Sequence, residues 1–96
     1  MRDVPKILKE MAATYEERNK VYGNNFLMMG PVMKAMFPNG PKLETEKDYI
    51  IFHLFDWAVG KLTRFVNSDM KHIDTIHDVA VYCAMIEAII SEDKPK

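Results

Sequence analysis

Lys61 and Arg64 stand three residues apart, and a short polar stretch separates them from His72, Asp74 and Asp78. Two cations, two carboxylates and an imidazole are the residue types of a phosphate or metal–phosphate site. Lys and Arg would hold phosphate oxygens, while Asp74 and Asp78 would hold Mg²⁺. The same residues also suit plain structure, with acids at one helix start, bases at another helix end and ion pairs between them. On spacing alone the structural account is the commoner one. His53 and Asp56, also three residues apart, offer a weaker pair: a metal pair, a histidine oriented by a carboxylate, or simply a polar stripe. Tyr22-Gly23-Asn24-Asn25-Phe26 supplies an aromatic surface and amides suited to a nucleobase, with Tyr22 and Asn25 as the candidate contacts. Its structural alternative is a helix cap followed by a loop that buries Phe26.

These residues converge only if helices carry them. Val4, Ile7, Leu8, Met11, Tyr15 and Tyr22 recur at three- and four-residue steps, which predicts an amphipathic helix from about Asp3 to Gly23. Gly30-Pro31 predicts a break that splits the next apolar segment into two short pieces, and Pro38-Asn39-Gly40-Pro41 predicts a loop. Thr45 with Asp48 three residues on predicts a capped start for a helix running to about Asn67. That helix is apolar around most of its circumference and should be central and largely buried. One narrow arc of it is polar: His53, Asp56, Gly60, Thr63, Arg64 and Asn67, flanked by Lys61. The last helix should start at an Asp74 or Thr75 cap, with Thr75 and Asp78 at capping-box spacing, and end near Ser91 in a charged flexible tail.

The expected fold class is therefore all-α: a single domain over residues 1–96, forming a small antiparallel bundle of three main helices plus one or two short ones. A central helix with more apolar surface than three helices of this length can cover predicts a homo-oligomer. The 13 basic and 14 acidic residues nearly cancel, which argues against non-specific nucleic-acid binding. No apolar run approaches the length of a membrane span, and no signal-peptide core follows Met1. The lone Cys83 sits in an apolar run and fits a reducing compartment, so a cytoplasmic protein is expected. A Gly-rich phosphate loop, a nucleophile elbow and cysteines of zinc spacing are all absent. His72, His77 and Asp78 do not make a His–Asp phosphohydrolase, which needs a wider set on a larger domain. Met28, Met29, Met33 and Met36 fill a core or form an adaptable surface.

Four pieces in order resemble a family of short bacteriophage proteins. They are Tyr22-Gly23-Asn24-Asn25-Phe26, then Val32-Met33-Lys34-Ala35-Met36-Phe37-Pro38, then Gly60-Lys61-Leu62 with Arg64-Phe65, and finally His72 to Asp78 with Tyr82. Together they span about residues 15–90, and they look like the phage nucleotide modification associated helical domains. More distantly they resemble the all-α nucleoside triphosphate pyrophosphohydrolases of the MazG type. Those enzymes bind Mg²⁺ through Glu-Glu-x-x-Glu on one helix and Glu-x-x-Asp on the next. Only the second motif has a loose counterpart, in Asp74, Thr75 and Asp78; Glu16-Glu17 is followed by Lys20, and the long helix offers only His53 and Asp56.

The resemblance implies a phage accessory protein, acting in the host cytoplasm, that binds a nucleotide or nucleotide-derived small molecule. Lys61, Arg64 and His72 would contact it, with Mg²⁺ as the possible cofactor of a pyrophosphohydrolase reaction. Two alternatives stay open: a non-catalytic protein that sequesters a host nucleotide immune signal, evading host defence, and an inhibitor that binds a host protein.

Overall fold

The computed structural model describes residues 3–23 and 25–92, with the side chains of Val21, Tyr22 and Asn25 outside the description. Every regular element in it is an α-helix: α1 (Val4–Tyr22), α2 (Asn25–Met36), α3 (Glu46–Asn67) and α4 (Ile73–Ser91). The all-α expectation holds among the described residues, which form four helices. The charged tail expected beyond Ser91 lies almost wholly outside the described residues.

α1 takes Pro5 in its first turn, where a missing N–H costs nothing. Gly23 ends it at φ 60, a conformation that a side chain would strain, and donates its N–H to the Asn19 carbonyl at 2.8 Å. The predicted break at Gly30-Pro31 does not occur. α2 is one helix with Pro31 inside it. Proline disfavours helical geometry in the residue before it by clashing with that residue's Cβ, and Gly30 has none. Lys34 then reaches past the helix end to the Pro38 carbonyl at 2.9 Å.

α3 opens on the predicted capping box. Thr45 Oγ1 accepts from the Asp48 N–H at 3.1 Å, and Asp48 Oδ2 accepts from the backbone N–H groups of Thr45 and Glu44, each at 3.0 Å. The bonds from the Thr45 and then the Glu44 backbone hold the Asp48 carboxyl below its ordinary value of 3.8. A depressed carboxylate contributes stability above its unfolded value and loses it as pH falls through the folded one. Thr45→Ala removes the acceptor of the Asp48 N–H and is expected to cost about 1 kcal/mol in chemical denaturation at pH 7. Both proteins should lose stability as pH drops below 4, where the Asp48 half of the box, made to backbone N–H groups that the substitution keeps, is lost.

α4 starts differently from expectation. His72, rather than Asp74 or Thr75, occupies the cap position, without a side-chain cap bond. Thr75 is 1% exposed and donates from Oγ1 to the His72 carbonyl at 2.7 Å. Burial forces its hydroxyl to find a partner, so it turns inward and Asp78 turns to Lys61 instead of closing a box. The connection from α3 is tight: Ser68 Oγ accepts from the His72 N–H at 3.3 Å, and Asp69 and Met70 both take positive φ, 59 and 61. A non-glycine residue there costs about 1–2 kcal/mol. Met70 is 66% exposed, so Met70→Gly loses little packing and is expected to raise stability by about 1 kcal/mol, read as a higher thermal midpoint.

α3 and α4 make the largest interface. Lys61 meets Asp78 and Trp57 meets Tyr82, four residues back on one helix against four residues on along the other, so the two run in opposite directions as a hairpin. α2 packs against α3 through Phe37, whose ring meets Phe52 and Phe55 edge-on at 5.7 and 5.8 Å, and through Met28 and Met29 near Asn67 and Thr63. α1 touches α3 least.

The central helix is not largely buried. Leu54, Ala58, Val59 and Thr63 are buried, but Tyr49, Ile50, Trp57, Leu62 and Val66 are exposed, because one close neighbour, α4, covers only one side. The molecule measures 54 × 37 × 27 Å with a radius of gyration of 17.0 Å. A compact chain of this length would have about 12–13 Å. No helix among the described residues is long and apolar enough to cross a membrane.

Candidate functional site

The open packing leaves a groove of about 1120 Å³ between α1 and the α3–α4 hairpin. Each wall follows from helical periodicity. Ile7, Met11, Thr14, Tyr15 and Arg18 recur at three- and four-residue steps along one face of α1, and Glu10 and Asn19 flank that face. α3 contributes Asp56, Trp57, Gly60, Lys61 and Arg64; α4 contributes Tyr82; Phe26 and Met29 come from α2.

The polar arc of α3 is thus divided between two surroundings. Asp56, Gly60 and Arg64 turn to the groove. Thr63, 6% exposed, turns to α2, donating to the Gly60 carbonyl at 2.8 Å with the Met29 sulfur at 3.8 Å. Asn67 donates to the Met28 sulfur at 3.1 Å. Both side chains thus meet methionine sulfurs of α2.

Lys61 and Arg64 line the groove together, and Lys61 Nζ lies 3.1 Å from Asp78 Oδ2. The Lys61 side chain is 24% exposed and the Asp78 side chain 40%, so the pair stays in contact with solvent and is worth about 1 kcal/mol or less. It steers the ammonium along the α4 side of the groove without making it inaccessible to an anion. His72 and Asp74 sit at the start of α4, outside the groove lining, and Asp74 is exposed. His53 also stays outside. Its ring lies 4.1 Å from that of Trp57, the groove residue, in a tilted contact. Among the described residues, no three His, Cys, Asp or Glu side chains are grouped so as to hold a metal ion. Tyr22 and Asn25, the candidate base contacts, have side chains outside the described residues.

Three groove features were not singled out from the sequence. Arg18 ends the apolar stripe of α1 and adds a third cation. Asn19 carries a buried Oδ1 that accepts no hydrogen bond. Two aromatic pairs flank the groove: Trp57–Tyr82 at 5.5 Å and Tyr15–Phe26 at 6.2 Å between ring centres. Arg18 had a visible signal, since it stands three residues after Tyr15 on the face that Ile7 and Met11 begin. Asn19 had none, because its role depends on how α1 tilts against α3.

No family model matches this chain, and neither the curated proteins nor the solved structures yield a match.

Proposed function

We propose that the groove binds a nucleotide or a nucleotide-derived small molecule. The observation that carries this reading is the placement of Arg18, Lys61 and Arg64 in one groove with the Trp57–Tyr82 and Tyr15–Phe26 rings. Phosphate needs converging cations, a nucleobase needs an aromatic face, and polar groups such as Asp56 and Asn19 can read hydroxyls or base edges. A volume near 1120 Å³ sits at the upper end of ordinary small-molecule sites, roughly 300–1000 Å³, and admits a ligand of nucleotide size.

Binding without bond breaking is the version these residues favour. Asp78 is engaged by Lys61, Asp74 lies outside the groove, and Asp56 and Glu10 are its only carboxylates among the described residues. Sequestration of a signalling nucleotide by a phage accessory protein in a host cytoplasm follows from that version together with the motif resemblance. Hydrolysis would need Mg²⁺ held by Asp56 or by Asp74 and Asp78, with a carboxylate activating water.

The test is a thermal-shift screen of mono-, di-, tri- and cyclic nucleotides, with and without Mg²⁺, followed by chromatography of each incubated hit. A ligand at about 100 times its Kd adds roughly 2.7 kcal/mol to stability. A hit recovered intact supports sequestration, and a Mg²⁺-dependent hit recovered cleaved makes the protein a hydrolase. No shift from any nucleotide sinks the reading and leaves a host protein as the better partner.

A further inference from the structure

We infer that a second copy of this chain covers the Val4–Leu8–Met11–Tyr15 stripe of α1 and, in doing so, closes the open side of the groove. The four side chains are 55%, 59%, 59% and 50% exposed, at steps of four, three and four residues on one face of a 19-residue helix. The opposite face carries Lys6, Lys9, Glu16, Glu17 and Lys20, so α1 is divided between a face suited to water and a face that is not. An amphipathic helix of this length owes its stability in water mainly to packing of the apolar face. Here its own chain packs little against α1: α3 is the helix it meets most, and that contact is sparse.

The surface area says how large the missing cover is. The chain exposes 7702 Å². A compact monomer of 11.1 kDa exposes about 5700 Å², leaving an excess of about 2000 Å². A stable interface of standard size takes about 800 Å² from each partner, and obligate homodimers take more. The excess is thus what an obligate self-association removes. A small heterologous ligand cannot account for it, because the exposed apolar surface extends well beyond the groove. Self-association also suits the charge pattern: the protein is nearly neutral, so two copies meet with little net repulsion.

Met11 and Tyr15 belong both to the stripe and to the groove wall. The copy that buries them therefore roofs the groove, and a ligand held there is enclosed only in the assembly. This goes beyond the nucleotide reading and stands without it, since the test is made on protein alone.

Sedimentation velocity and light scattering of the full chain, without ligand, should give a mass that is a multiple of 11.1 kDa at micromolar concentration. Leu8→Asp with Met11→Asp should shift it to the monomer, while Lys9→Asp, on the opposite face, should leave the mass unchanged. Hydrogen exchange of the unaltered protein keeps the question answerable if the double variant does not fold. The α1 amides should lose protection on dilution together with the loss of assembled mass. A monomer at every concentration overturns the inference. So does an assembly that persists in the folded double variant, or α1 protection that ignores dilution while the mass falls.

Discussion

Replacing Lys61 with alanine is expected to lower affinity for a phosphate-bearing ligand at least tenfold, while changing the stability of the ligand-free protein by well under 1 kcal/mol. The contrast follows from its surroundings. The ion pair of Lys61 with Asp78 is partly solvated on both sides, and breaking it costs little. Against a phosphate the same ammonium acts as a charge-assisted donor in a groove whose walls are largely apolar and aromatic. Charged hydrogen bonds of that kind are worth roughly 1.5–3 kcal/mol, or about ten- to a hundredfold in affinity. Asp78→Asn makes the opposite prediction. It releases Lys61 from its carboxylate and should tighten binding of an anion modestly if Asp78 is only a partner for the lysine. If Asp78 instead holds Mg²⁺, the same change weakens binding in the presence of the metal. Isothermal titration of the first hit from the screen, with and without Mg²⁺, separates the two.

The helices were legible because their signals are local. Thr45 and Asp48 close a box within four residues, and Gly23 ends α1 where only glycine enters its backbone angle freely. The misreadings arose where a distant partner decides. Gly30-Pro31 reads as a break from the proline alone, but the glycine before it removes one of the clashes that disfavour a helix there. Thr75 and Asp78 have capping-box spacing, yet Thr75 is driven inward by burial and Asp78 is claimed by a lysine on another helix. The site was half legible for the same reason. Lys61, Arg64 and Asp56 share a helical arc, which sequence shows directly, whereas the addition of Arg18 and Asn19 depends on α1 lying across the hairpin. The largest surprise is the exposure of Trp57, Leu62 and Val66 on a helix that reads as buried: within the chain only α4 packs extensively against it. Sequence encodes the total apolar surface to be covered, not whether the cover comes from the same chain.

That distinction makes Leu54 the most informative core position. Leu54, Ala58 and Val59 are the buried apolar residues among the described residues, all on α3. Leu54→Ala is expected to cost about 2–3 kcal/mol, the lower part of the usual range, because Leu54 keeps 9% exposure and water can enter the space left behind. For a domain near 100 residues, whose whole stability is about 5–15 kcal/mol, that corresponds to a fall in thermal midpoint of roughly 10–20 °C at fixed protein concentration. Leu8→Ala supplies the comparison. In an isolated chain Leu8 is 59% exposed, and truncating it should change stability by no more than about 0.5 kcal/mol. If a second copy buries Leu8, its truncation should approach the cost of Leu54→Ala, and the midpoint should depend on protein concentration in both variants. A large Leu54 effect beside a negligible Leu8 effect would mean that the hairpin supplies the stability and α1 is carried along uncovered. Comparable effects would mean that the core of this protein is divided between two chains.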